Sequence, residues 1–395
     1  MTPWLGVIGI DGTGALAPAA AAWLAEATLV MGGARHLALA GPLIRGTALP
    51  WPSPMGEALP CLLAHRPGLA AVLASGDPLW FGVASMVLRH VPLAEVRIMP
   101  APSIFAHAAA RLGWALQDTV CLSCCGRPVA AVGRHLHPKA RLLVLSADGA
   151  TPAALAELLV AQGMGASVLT VMEDLDGAGE RIRVVTPATV PTDIHPLNLV
   201  GIEPAGAEGL PLTPGLDVGM FEHDGTISKP DIRALTLAAL APRPYQLLWD
   251  VGTGSGAIGI EWMRAHATCR AVALEPRAER AAFARRNAVR LGVPGLEVRE
   301  VAAPEGFAGL PAPHAVYLGG GAHRAGMIEA AWERLAPGGR LVANAVTLAT
   351  ERALLEAQGR FGGALTRVGV ERLDRVGGHA AFRPALTVTR WVAFR

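Results

Sequence analysis

Short apolar runs of strand length alternate with Ala- and Leu-rich stretches of helix length along almost the whole chain, the pattern of an α/β fold with mostly parallel sheets. In the first half, the apolar run 5–10 predicts a buried strand. It is followed by the turn Asp11-Gly12-Thr13-Gly14 and a helix over about 18–27. Further runs of β-branched and apolar residues bounded by breakers predict strands over 70–74, 96–99, 119–122, 142–145 and 167–172.

In the second half the spacing predicts a helix over 229–240, a strand over 247–251, a helix over 257–265, a strand over 270–274 and a helix over 277–291. Strands are then expected over 296–301, 315–318 and 339–343. The alternating runs 365–373 and 385–393, joined by Asp374-Arg375-Val376-Gly377-Gly378-His379, read as a closing hairpin. A doubly wound sheet ending in an antiparallel hairpin is the layout of the class I methyltransferases. Between the halves, Pro204 to Gly215 is rich in Pro and Gly and has little apolar periodicity, as expected of a linker. Two domains follow from this, 1–204 and 205–395. Neither repeats the other in sequence, so the chain reads as a fusion of unlike parts.

At 395 residues the chain is long enough for two sizeable cores. Its 34 Lys and Arg against 32 Asp and Glu leave a net charge of +2, which gives no basic footprint for nucleic acid. The amino end lacks a basic n-region, and Pro18 and Glu26 interrupt the apolar stretch from Ala15 to Met31. Neither a signal peptide nor a spanning helix is expected, and the predicted location is the cytoplasm. Three of the five cysteines, Cys121, Cys124 and Cys125, are clustered. No second CxxC or HxxxH group completes a tetrahedral site, so buried, reduced thiols are expected and no metal.

The chemistry concentrates at glycines. Asp250-Val251-Gly252-Thr253-Gly254-Ser255-Gly256 follows the strand 247–251 and opens the helix 257–265, a turn whose backbone must let a cofactor approach closer than any Cβ permits. Glu275 ends the next strand, where a carboxylate can accept both ribose hydroxyls of an adenosine. The glycines 254–259 also satisfy GxGxxG, so an NAD-dependent dehydrogenase stays open beside an S-adenosylmethionine enzyme. Asp250, suited to a methionine end, Glu275, and the segment Val301 to Glu305, suited to line an adenine, favour the latter. Tyr317-Leu318-Gly319-Gly320-Gly321 stands where enzymes that methylate amines carry Asn/Asp-Pro-Pro-aromatic, which points to a carbon acceptor needing chiefly alignment. An RNA or protein methyltransferase remains a further alternative. In the first half, Ser75-Gly76-Asp77-Pro78-Leu79-Trp80-Phe81-Gly82 is accompanied by Ile8 to Gly12, Pro102-Ser103-Ile104 and Gly126-Arg127-Pro128.

Those first-half segments resemble the tetrapyrrole methylase family. Phe221-Glu222-His223-Asp224-Gly225 with Trp249 to Gly256 makes the second half similar to the decarboxylating precorrin methyltransferases. The resemblance implies a tetrapyrrole-methylase-like α/β unit followed by a Rossmann-like class I methyltransferase. It also implies two methyl transfers from S-adenosylmethionine to ring carbons of a precorrin, with loss of carbon dioxide from an acetate side chain. One cofactor per domain is implied, held by Gly76, Asp77, Ser103 and Ile104 in the first, and by Ser228, Asp250, Gly252, Gly254, Gly256, Glu275 and Ala303 in the second. A homo-oligomer is implied, with no nucleic acid or membrane partner. Asp11, Cys124-Cys125 and Ala302 depart from the family pattern. For the substrate's carboxylates, Arg233, His323 and Arg324 are candidate partners. Arg277, Arg280, Arg285, Arg286 and Arg290 are expected to form a solvated helix face. His223 is the candidate general acid for decarboxylation.

Overall fold

The computed structural model describes residues 2–395, which divide into two compact units, 2–129 with His135–Glu208 and Ala130–Arg134 with Gly209–Arg395. In the first, β1 (Leu5–Ile10), β2 (Leu29–Gly32), β3 (Thr47–Pro50), β4 (Ala70–Ser75) and β5 (Val96–Met99) form a parallel sheet in the order β3-β2-β4-β1-β5. Every residue of β1 is buried, as expected of a central parallel strand covered on both faces. Ser103 caps the helix Ile104–Leu112 by accepting from the Ala106 N–H, and Gly113 ends it at φ +66°.

A second sheet in the same unit contains β6 (Val120–Ser123), β7 (Leu142–Leu145), β8 (Val168–Glu173), β9 (Arg181–Val185) and β10 (Asn198–Glu203) in the order β6-β7-β10-β8-β9. Only its β6–β7 pair is parallel. The expectation of mostly parallel sheets therefore fails here, because short connections such as the one between β8 and β9 return the chain antiparallel. The thiols also differ from expectation: Cys124 and Cys269 are buried, but Cys61 and Cys125 are exposed.

The second unit builds β11 (Leu247–Val251), β12 (Arg270–Leu274), β13 (Glu297–Arg299), β14 (Ala315–Leu318), β15 (Arg340–Ala345), β16 (Ala364–Val368), β17 (Glu371–Val376), β18 (His379–Pro384) and β19 (Val388–Phe394). Seven of these form one sheet in the order β13-β12-β11-β14-β15-β19-β16, parallel from β13 to β15 and antiparallel at β19 and β16. Side chains alternate between two cores: Trp249, Val251, Leu274 and Val316 face one, and Leu248, Ala273, Ala315 and Tyr317 the other.

The expected closing hairpin is two pairs. β16 pairs with β19 in the main sheet, while β17 and β18 form a separate two-stranded ribbon. What reads in sequence as a six-residue loop is mostly strand, because Gly377 and Gly378, at φ +56° and +86°, complete a tight two-residue turn.

Candidate active site

A cavity of about 810 Å³ opens at the carboxyl ends of β11, β12, β14 and β15, where ligands bind in open α/β sheets. Its floor is the loop from Asp250 to Ser255. Gly252 and Gly254 take φ values of +71° and +57°, which a side chain would strain, and a Cβ on Gly254 would point into open space with only the Thr226 carbonyl at 3.8 Å. Gly256, at φ +82°, does not line the cavity. A Cβ there would meet Ala284 at 3.0 Å, so this glycine lets the helix Ala257–Ala265 pack closely on its neighbour.

Of the other second-unit residues expected from the sequence, Ser228, Asp250, Gly252, Gly254, Glu275 and Ala303 line the cavity. Glu275 is 3% exposed, and its two oxygens accept from the Gly254 N–H at 3.0 Å and the Arg277 N–H at 3.1 Å. Asp250 is 1% exposed; its Oδ2 accepts from Thr253 Oγ1 at 2.5 Å and the Gly259 N–H at 2.9 Å, while Oδ1 has no partner. Burial pushes the Asp250 carboxyl up from 3.8 to about 6, against those two hydrogen bonds and helped by the charge of Glu275.

His223 is not among the lining residues. Its Nδ1 accepts from the Gly225 N–H at 2.9 Å, which shapes the loop before the cavity. Arg233 also departs from its expected role as a carboxylate clamp. It is fully buried against Glu261 at 2.5 Å and donates to the Ser228 and Leu216 carbonyls, so all three guanidinium nitrogens are engaged within the fold. His323 lies outside the lining, 3.5 Å from the Thr350 hydroxyl, whereas Arg324 faces the cavity.

The helix of arginines divides. Arg285 and Arg286 pair with Glu300 and Glu222, and Arg290 donates to the Met220 carbonyl, in keeping with a solvated face. Arg277 and Arg280, one turn nearer the amino end, reach the cavity. Sequence reasoning overlooked Lys229, Arg372 and Asn344, which also line it. Only the position of Lys229 at the start of a predicted helix gave a usable signal.

The result is an asymmetric lining. Lys229, Arg277, Arg280, Arg324 and Arg372 stand against Asp250 and Glu275. Arg280 is tied to Asp224 and Arg372 to Asp231, but Lys229, Arg277 and Arg324 have no carboxylate partner among the described residues. No group of three or more His, Cys, Asp or Glu able to hold a metal occurs among the described residues.

In the first unit, the four residues expected at a cofactor site lie at the ends of parallel strands. A Cβ on Gly9 would sit 1.9 Å from the Gly76 carbonyl, and one on Gly76, at φ +54°, would sit 2.9 Å from Ser103 Cα. The carboxyl end of β1 thus touches the backbones that follow β4 and β5, and Gly76 is brought against Ser103, the cap before Ile104. Asp77 accepts from the Leu79 N–H at 2.9 Å, an Asx turn that fixes the loop. Asp11, which departs from the family pattern, accepts from the Thr13 N–H, the Thr13 hydroxyl and the Ala15 N–H. Burial raises its carboxyl, but these bonds outweigh that and hold it below the usual carboxylate range.

Strand order, glycine loop and terminal acid together define the second unit as a class I methyltransferase fold with a nucleotide-cofactor cleft. The family described as Precorrin methyltransferase domain matches residues 219–395, and Tetrapyrrole (Corrin/Porphyrin) Methylases matches 7–192. A precorrin-6Y C(5,15)-methyltransferase [decarboxylating] of Sinorhizobium sp is 51% identical over 397 residues, covering 99% of this chain and 96% of that protein. A cobalt-precorrin-7 C(5)-methyltransferase of Salmonella typhimurium is 31% identical over 50% of this chain and 98% of its own. A probable cobalt-precorrin-6B C(15)-methyltransferase (decarboxylating) of Pyrobaculum calidifontis is 32% identical over 45% of this chain and 96% of its own. The solved C-terminal domain of precorrin-6Y C5,15-methyltransferase from Rhodobacter capsulatus, 40% identical, covers 47% of this chain and 100% of that one, with a TM-score of 0.45. The chain belongs to the family of decarboxylating precorrin-6Y C5,15-methyltransferases, and with it to the enzymes that use S-adenosylmethionine.

Proposed function

We propose that this protein methylates precorrin-6B, the reduced form of precorrin-6Y, at C5 and C15 and removes the C12 acetate carboxyl as carbon dioxide. The product is precorrin-8X, in aerobic cobalamin biosynthesis. The observation that carries the reading is the cavity of the second unit, which joins a glycine-floored, acid-ended cleft to three cations without carboxylate partners, Lys229, Arg277 and Arg324. A macrocycle fringed with acetates and propionates supplies the missing anions, in the fork geometry that guanidinium groups favour.

The division of labour is part of the proposal. The first domain, residues 1–204, methylates C5, and the second, 205–395, methylates C15 and decarboxylates. In support, half-length relatives carry the C(5) and the decarboxylating C(15) activities separately. Each domain holds one S-adenosylmethionine. The second domain's residues fit that molecule: Gly252 and Gly254 leave backbone open to it, Glu275 would hold the ribose, Ser228 and Ala303 would line its ends, and the orphaned Asp250 Oδ1 would take the amino group. Gly76, Asp77, Ser103 and Ile104 play the corresponding part in the first. Bound there, the cofactor supplies an electrophilic methyl group, and a nucleophilic ring carbon needs alignment with it more than a base.

No helix among the described residues is long and apolar enough to cross a membrane. On this reading the enzyme works in the cytoplasm on a small molecule and not on nucleic acid, for which the balanced charge offers no footprint. It self-associates, a view supported by the β17–β18 ribbon, where Leu373 and Phe382 are 67% and 68% exposed.

The test is incubation with S-adenosylmethionine and precorrin-6B, followed by mass spectrometry. Gain of two methyl groups and loss of one carbon dioxide is the expected product. No mass change, with thermal stabilisation by NADH but none by S-adenosylhomocysteine, overturns the reading in favour of a dehydrogenase.

A further inference from the structure

Three neighbouring strands carry polar groups side by side under the cavity. Asp250 of β11 lies directly across from Tyr317 of β14, and Tyr317 across from Val342 of β15, which puts Asn344, two residues on, at the open end of the same face. Asp250, Tyr317 and Asn344 all line the cavity.

Their hydrogen bonding is incomplete in one direction. Asn344 Nδ2 donates to Thr236 Oγ1 at 2.9 Å and to the Tyr317 hydroxyl oxygen at 3.3 Å. Thr236 passes its own proton to the Ile232 carbonyl at 2.7 Å, which fixes the amide. Among the described residues nothing accepts the phenolic proton of Tyr317, and the buried oxygens Asp250 Oδ1 and Asn344 Oδ1 are also left without partners. Buried polar groups left open at a cavity wall are groups awaiting a ligand. Burial, and next the charge of Asp250, raise the Tyr317 phenol, so it stays protonated across the working range.

Decarboxylation needs such a group. As the bond from the acetate methylene to its carboxylate breaks, the electron pair enters the conjugated macrocycle and carbon dioxide departs. The exocyclic methylene left behind must then take up one proton to become a methyl group. His223 lies outside the cavity, and Glu275, ionised to accept two backbone N–H groups, is given to the cofactor ribose. From this geometry, and resting on the reading that the second unit decarboxylates, we infer that Tyr317 delivers that proton and that Asn344 positions it. The Asn344 N–H then faces the phenolate oxygen and stabilises the charge until water restores the proton.

The experiment compares the full chain with Tyr317→Phe and Asn344→Ala, using precorrin-6B and S-adenosylmethionine in deuterated water. For each protein, carbon dioxide released per methyl group transferred at C15 is measured, with S-adenosylhomocysteine stabilisation as a separate check of the cleft. The expected result is a fall of that ratio by tenfold or more in Tyr317→Phe, accumulation of an unprotonated methylene intermediate, and a smaller fall in Asn344→Ala. The wild type should place one deuterium in the new methyl group, and Asn344→Gln, in which the longer amide still donates, should recover the ratio lost in Asn344→Ala. A wild-type ratio in Tyr317→Phe overturns the assignment. If Tyr317→Phe loses its response to S-adenosylhomocysteine, a wild-type ratio in Asn344→Ala overturns it instead. Failure of the wild type itself to release carbon dioxide refutes the underlying functional reading, an outcome distinct from both.

Discussion

Asp250 sits fully within the protein with one oxygen held by Thr253 and Gly259 and the other held by nothing. Its carboxyl, raised by burial to about 6, is half protonated near that pH when the cleft is empty. The sign for folding follows from the same shift: this group favours the folded chain below its unfolded value of 3.8, and that contribution is lost as pH rises through about 6. Ligand binding runs the other way. A ligand that brings a donor or cation to Oδ1 prefers the ionised form, lowers the carboxyl and releases a proton. Calorimetric affinity for S-adenosylhomocysteine at the second unit should therefore rise by about tenfold between pH 5 and pH 7 and then level off. Asp250→Asn should bind more weakly with a flat profile; an equally steep profile in that variant assigns the effect to another group. This residue was legible in the sequence because an acid before a glycine turn has few other uses. Tyr317 and Asn344 were not, since their importance comes from strand register and not from chain neighbours.

At the scale of elements, the helix Pro230–Leu240 is held over the sheet by one buried ion pair. Arg233 is fully buried, and Glu261 also accepts from the Gly215 and Leu216 N–H groups at 2.7 and 3.1 Å. Removing one member of such a pair strands the other charge. Arg233→Ala should destabilise the second unit by about 3–5 kcal/mol in urea unfolding, far more than loss of an exposed pair such as Arg352 with Glu356. A loss below about 1 kcal/mol contradicts this account. An arginine beside a glycine-rich cleft looks like a substrate clamp in sequence, because nothing there reveals the carboxylate 28 positions away that claims it. The strands of the second unit were readable for the opposite reason: β11, β12 and β14 are mostly apolar runs, almost wholly buried on both faces. The ribbon was misread because β17 is exposed throughout, so no apolar alternation marks where it leaves the sheet.

At the scale of the whole molecule, the proposed function has two different frameworks solve the same problem of approaching a cofactor with bare backbone. The first unit does it where Gly9, Gly76 and Ser103 crowd at three strand ends, and the second in a single loop from Asp250 to Ser255. The parallel parts of both units were legible as alternating strand and helix. The antiparallel sheet of the first unit was not, because strand direction is set by the connections, and β9 is a short run of five residues that is largely exposed. The central claim is that the two units are independent sites for one donor, serving one macrocycle. Isothermal titration with S-adenosylhomocysteine tests it most directly, comparing the full chain with a Gly252→Val, Gly254→Val variant whose side chains close the second cleft. The account predicts two molecules bound per chain, falling to one in the variant. A single molecule bound to the unaltered chain, or two still bound to the variant, contradicts it.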